Sequence, residues 1–269
     1  LSYLGKFREA GYDNGLGAPL TLMKKIAADA YKNTFMTGTY NFTQGKYNIS
    51  TLLYDTQTGK PLTEHQYTGD NLFKITDEIT MALKDDLGIP MKHIEETIDL
   101  PVSEIYTPSF KALEYFTKGY LEIALNNDWD KGVKLTERAT AEDPGFMAAH
   151  LNIAQIYFNN NQTEKALSSL QLTMNNLYKL PERQQFFTKY FYYIIQKEAD
   201  KAHAVCKMWT DLYPEDIKAH TMLAESFRKR NEMGKTIQEY KTILSLDPGQ
   251  FNILRVVGDL YEQTAKYDS

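Results

Sequence analysis

The chain has 269 residues, 42% of them hydrophobic and 24% charged, with a formal net charge of −5. This is enough for one large domain or two ordinary ones, in the composition range of soluble globular proteins. The acidic balance argues against a nucleic-acid binder, no apolar run approaches the roughly 18 residues of a membrane span, and the single Cys206 excludes a disulfide framework.

Up to about residue 88, helical and strand signals alternate. "GYDNGLGAPL" (11–20) holds a Gly-x-Gly before a helix, where backbone N–H groups could receive a phosphate. It lacks the third glycine of a dinucleotide fingerprint, and no strand precedes it, so it reads as a turn leading into a Pro-started helix. That helix spans Ala18 to Lys32, with Leu22, Ile26 and Ala30 on one face. "FMTGTYNF", "KYNISTLLYD" and "PLTEHQYTG" follow, separated by turns at Gln44-Gly45 and Thr58-Gly59, and predict a three-stranded antiparallel meander. A second helix is expected to start at an Asp70 cap, to bury Leu72, Ile75, Ile79, Leu83 and Leu87, and to stop at Gly88 and Pro90. The expected arrangement is two helices on one face of a small sheet.

Residues 89–108 carry Pro90, Pro101 and Pro108 with little periodicity and read as a connector. From Ser109 onward every signal is helical. Pro144, Pro181, Pro214 and Pro248 are 37, 33 and 34 residues apart, a period of two helices per unit. The residue classes recur with the spacing: His150, Ala154, Tyr157 and Ala166 after Pro144, then His220, Ala224, Phe227 and Thr236 after Pro214, then Leu254, Gly258 and Tyr261 after Pro248. Small residues belong where paired helices cross, and proline ends one pair before the next begins. The first unit, Ser109 to Asp143, is more degenerate and keeps Gly119, Gly132 and Ala139. The third, from Pro181 to Tyr213, lacks the small crossing residue, and three extra residues before Pro181 are expected to lengthen the preceding helix by about a turn. The fifth has only its first helix. With Leu1 at one end and "KYDS" at the other, the chain is expected to be a piece of a longer protein.

From 109 to 269 the chain resembles the tetratricopeptide repeat superfamily. Residues 18–88 resemble the TolB amino-terminal-like domains that precede such repeats in many bacterial proteins. The resemblance rests on Gly38 before the first hairpin, the Asp55…Thr58-Gly59 turn and the Leu72-Phe73…Asp77-Glu78 helix. The fold class expected is therefore an α+β domain over 1–88, a linker over 89–108, and a right-handed solenoid of four repeats and the first helix of a fifth. The resemblance also implies a setting, the extracytoplasmic part of a membrane-anchored bacterial signalling protein, with a cytoplasmic location as the alternative.

Groups capable of chemistry each meet a plainer reading. His203 and Cys206 lie one turn apart, half of a metal site, but no second pair accompanies them and Cys206 falls at a core position. His150 and His220 occupy equivalent repeat positions and read as packing. Asp85-Asp86 and Glu95-Glu96 read as solvated acidic faces, since neighbours on a helix diverge. No Gly-x-Ser-x-Gly, His-Glu-x-x-His or phosphate loop is present, so no catalytic, cofactor or metal residue is assigned. "FFTKYFYY" (186–193) holds six aromatics in eight positions, more than one face of a helix can bury, so some should reach a groove or a partner.

The resemblance implies that the first helix of each pair lines the groove. Register then names the candidates: Leu151, Gln155 and Phe158; Phe187, Phe191 and Ile194; Thr221, Glu225 and Arg228; Arg255, Asp259 and Glu262. The groove runs from apolar to charged, which suits an extended peptide. The favoured function is a non-enzymatic protein-interaction scaffold. The alternatives are the regulatory part of a signalling protein and a small-molecule-binding or hydrolytic α+β domain.

Overall fold

The computed structural model describes residues 2–12, 15–89 and 100–267. It forms two compact units, Leu1–Gly145 and Phe146–Ser269, mostly helical with one small sheet.

In the first unit, α1 (Ser2–Glu9) and α2 (Leu20–Asp29) precede the sheet. Gly15 and Gly17 both take positive φ, +78° and +72°, and Pro19 stands at the N-cap, so the Gly-x-Gly stretch is a turn. Strands β1 (Thr34–Thr43), β2 (Lys46–Asp55) and β3 (Pro61–Gly69) pair antiparallel in the order β1-β2-β3, the expected meander. Gln44 and Gly45, at φ +53° and +77°, make the two-residue first turn. One sheet face carries a ladder of polar contacts, with Thr39 to Ser50 at 2.8 Å and the Asn48 amide donating to Asn41 at 3.1 Å.

Helix α3 (Leu72–Asp86) covers part of the other face. Its N-cap is Asn71, not Asp70: the Asn71 side chain accepts from Lys74 N at 3.1 Å. Ile75 is the buried residue of its stripe, while Leu87 is an exposed C-cap. Asp86, read as part of a solvated acidic face, instead pins the end of α3 to β3. It accepts from Thr63 Oγ1 at 2.7 Å and lies 3.0 Å from His65 Nε2. Partial burial pushes its pKa up, but the bonds from Thr63 and His65 and the charge of His65 outweigh that and hold it below the usual carboxylate value. Pro90 and the Glu95-Glu96 pair lie outside the described residues.

A short helix α4 (Val102–Ile105), tied by Val102 N to Asp77 at 2.8 Å, leads to the pair α5 (Phe110–Asn126) and α6 (Trp129–Glu142). A Cβ added to Gly119 would lie 2.9 Å from the Gly132 carbonyl oxygen, so two glycines allow these helices to touch backbone to backbone.

The second unit repeats this pair: α7 (Met147–Asn159) with α8 (Thr163–Asn175), α9 (Glu182–Ile195) with α10 (Ala199–Leu212), α11 (Ile217–Lys229) with α12 (Met233–Leu246), and then α13 (Phe251–Tyr267). The three extra residues before Pro181 do not lengthen α8, which stops after 13 residues; a separate 3-10 turn, Leu177–Lys179, absorbs them. Thr264–Tyr267 continue α13 as helix.

One device recurs in all four complete pairs and a second in three of them. A residue in left-handed conformation breaks the chain between paired helices: Asn127, Asn161, Lys197 and Asn231, at φ +53° to +61°. Then, in three pairs, an aromatic near the end of the first helix receives a lysine from the start of the second. Lys165 lies 5.2 Å from the Tyr157 ring centre, Lys201 5.5 Å from Tyr193, and Lys235 5.2 Å from Phe227. Threonines buried at the crossings satisfy their hydroxyls on their own helix, as Thr173 does on Ser169 O at 2.9 Å and Thr236 on Glu232 O at 3.2 Å.

Three outcomes test this account. Gly119→Ala is expected to cost the first unit about 1–3 kcal/mol in urea unfolding, by forcing the α5–α6 crossing apart. Gly234→Ala, with open space at its Cβ, should instead stabilise by up to about 1 kcal/mol. For Asp86, a carboxyl held low contributes stability that is present above the unfolded-state pKa of about 3.9 and is lost as pH falls through the lower folded value. Acid titration of Asp86→Asn should therefore lack that part of the acid destabilisation of the first unit.

Candidate functional site

The left-handed residues give the first helices a common origin. Ten, six and three positions before Asn161 stand Leu151, Gln155 and Phe158; the same offsets from Lys197 give Phe187, Phe191 and Ile194, and from Asn231 they give Thr221, Glu225 and Arg228. Arg255, Asp259 and Glu262 keep the same mutual spacing on α13.

These positions differ in access. Leu151, Phe187 and Phe191 are buried in the core of the second unit, so they are not surface contacts. Gln155, Phe158, Ile194, Thr221 and Glu225 are half-buried; Arg228, Arg255, Asp259 and Glu262 are exposed. Gln155 donates to the Leu151 carbonyl at 3.2 Å. The aromatics form a row: Phe158 meets Phe191 edge-on with ring centres 5.4 Å apart, and Phe191 stacks on Phe187 at 5.9 Å. Glu225 and Arg228 pair with each other at 2.6 Å, and Glu225 also accepts from Tyr240 OH at 2.7 Å.

The aromatic run divides between two faces of α9. Phe187 and Phe191 turn toward Phe158, while Phe186 stacks on Trp209 with ring centres 6.1 Å apart. Tyr190 stands at the position of Ala154 and Ala224, the small crossing residue of the neighbouring pairs, and burial pushes its pKa up to about 12. Tyr192 and Tyr193 remain half-buried.

Register alone passes over Lys218, one turn before Thr221. Its ammonium lies 3.5 Å from the centre of the Phe187 ring, at the end of the aromatic row. Desolvation lowers its pKa, opposed by the charge of Asp216. Among the described residues no carboxylate forms an ion pair with it. The i, i+3 spacing from Thr221 was the available signal, and the residue is exposed although its ammonium folds over the ring.

The remaining chemical candidates are engaged structurally. Burial pushes the Cys206 thiol up to about 12. His203 Nδ1 lies 2.9 Å from Ser226 Oγ, and its ring meets Phe227 edge-on. His220 is buried with Nδ1 2.7 Å from Glu239 Oε2 and Nε2 2.9 Å from the Pro214 carbonyl, tying the turn before α11 to α12. Asp216 caps α11 by accepting from Lys218 N and Ala219 N at 2.9 and 3.3 Å, and it also receives Trp209 Nε1 at 3.2 Å. In the first unit, a shallow cleft of about 440 Å³ is lined by Tyr47, Asp70, Leu72, Phe73, Pro108 and Phe110, among others, with Asp70 its one charged group among the described residues.

No known family's sequence profile matches the chain, and no curated protein matches it by sequence. Among solved structures it is similar to the MamA protein, at 18% identity over 59% of this chain and 85% of that one, with a TM-score of 0.40. Residues 41 to the end of MamA from Desulfovibrio magneticus RS-1 share 12% identity over 60% of this chain and 89% of that one, at a TM-score of 0.43. The APC/C hetero-tetramer Cut9-Hcn1 shares 17% identity over 56% of this chain and 30% of that one, at 0.47.

Two measurements follow from these assignments. Cys206 should resist a thiol-titrating reagent at mildly alkaline pH in the folded protein and react at once in denaturant. Asp216→Ala should lower the unfolding free energy of the second unit by about 1–3 kcal/mol, since it removes a helix cap and strands the buried Trp209 N–H.

Proposed function

We propose that the helix pairs form a non-enzymatic scaffold of the tetratricopeptide kind, which holds an extended segment of a protein partner along α7, α9, α11 and α13. On this reading residues 1–88 are the α+β domain, 89–108 the connector and 109–269 the repeat array. The carrying observation is the aromatic row Phe158–Phe191–Phe187 that ends at the Lys218 ammonium. An exposed ammonium held over an aromatic ring beside half-buried apolar surface favours a peptide with an acidic group next to an aromatic or aliphatic one. Phe158 and Ile194 offer the apolar contacts, with Leu151, Phe187 and Phe191 supporting them from below. Thr221, Glu225, Arg228, Arg255, Asp259 and Glu262 extend the face toward α13 with mixed charge.

Panning a random peptide library on the chain is expected to enrich such peptides. In isothermal titration, Phe158→Ala and Lys218→Ala should each weaken the selected peptides about tenfold, near 1.4 kcal/mol, while Tyr40→Ala on the sheet leaves them unchanged. Selected peptides that bind all three variants equally would sink this reading.

A further inference from the structure

The walls of the cleft in the first unit come from three elements. Tyr47 stands near the start of β2, its ring centre 4.7 Å from that of Phe42. Leu72 and Phe73 form the first turn of α3, and Phe110 opens α5 behind Pro108. Close packing sets these walls in place. Gly69 faces Tyr47 in the β2–β3 register, and a Cβ there would stand 3.3 Å from Ile75 Cδ1, so α3 starts tight against the end of the sheet. On the other side, the buried Thr107 donates to Asp143 at 2.5 Å and accepts from Ser109 N at 3.0 Å, which anchors the segment from Pro108 to Phe110.

We propose that this cleft binds a small quaternary ammonium compound, its alkylated head among Tyr47, Phe73 and Phe110 and its charge balanced by Asp70. The lining selects that chemistry. Three aromatic side chains share it with one carboxylate, exposed and the only charge of the lining among the described residues. Among the described residues, the ion pairs of the first unit do not include Asp70. Both cap side chains at the helix starts are engaged: Asn71 accepts from Lys74 N at 3.1 Å, and Ser109 from Ala112 N at 3.2 Å. Aromatic rings with a counter-charge attract an organic cation. A metal ion takes several oxygen ligands, and a primary ammonium brings three N–H donors to satisfy. A quaternary ammonium has no N–H and needs only rings and a negative charge. Such binding is independent of any peptide held by the second unit.

Saturation-transfer NMR on the 269-residue chain, with choline chloride as the probe, should show transfer to the trimethylammonium protons that saturates on titration. The neutral isostere of choline, in which a tert-butyl group replaces the trimethylammonium, should bind about tenfold more weakly or worse. Asp70→Asn and Phe110→Leu, both at exposed positions, should each weaken choline about tenfold with unchanged circular dichroism. Phe110→Tyr, which keeps a ring, should retain binding, as should Tyr120→Ala, an exposed aromatic outside the cleft. Sodium sulfate, the kind of ion that helix starts alone would favour, should compete no better than sodium chloride at equal ionic strength. Choline that shows no saturable transfer overturns the proposal. So does a neutral isostere that binds as tightly, an Asp70→Asn or Phe110→Leu chain that binds choline as the parent does, or specific displacement by sulfate.

Discussion

The crossing of two helices at a small residue is the constraint on which the rest of the repeats depends. Where Gly119 meets Gly132 there is no room for a single Cβ, so the helices approach until backbone touches side chain and backbone. Ala154 with Ala166, and Ala224 with Thr236, hold the same place in later pairs, all completely buried. Such contact requires the second helix to return at one fixed angle and offset. The left-handed residue between the helices supplies the reversal, and the lysine over the aromatic ring fixes the offset from the other side. Each device is worth on the order of 1 kcal/mol or less. Their repetition at the same spacing leaves one register for the stack.

The third pair shows what happens when the constraint is relaxed. Tyr190 in place of the small residue forbids backbone contact, and the gap is filled by side chains instead: Tyr190, Cys206 and Trp209 are all buried, with Phe186 stacked on Trp209. The adjoining face of α9, with Phe187 and Phe191, meets Phe158 and the Lys218 ammonium. The irregular repeat is thus where the buried Phe187 and Phe191 meet Phe158 from the preceding pair and the Lys218 ammonium from the following one. Departure from the consensus and the candidate site meet in this pair.

Much of this was legible from local pattern. The meander follows from alternation and a turn pair that tolerates positive φ, and the pairs follow from a period near 34 residues that carries small and large residues in fixed order. The errors share a different origin. Asp70 and Asn71 are both good caps, and only the direction of entry into α3 selects Asn71. Asp86 looks solvated until β3 brings Thr63 and His65 to it. Extra residues before Pro181 could prolong a helix or close a 3-10 turn, and here they form the turn Leu177–Lys179. Lys218 escapes the local pattern because the ring it meets lies 31 residues away in the chain.

The sequence by itself determined the periodicity: which segments are helix or strand, where they reverse, and which positions are small enough for close approach. These are local properties, set by the chain's own sterics and by residue spacing over one or two turns. Only the tertiary structure decided access. Leu151, Phe187 and Phe191 share a stripe with Phe158 and Ile194, yet the first three are core and the last two reach the surface. Burial belongs to a residue together with what lies across from it, and that neighbour comes from elsewhere in the fold.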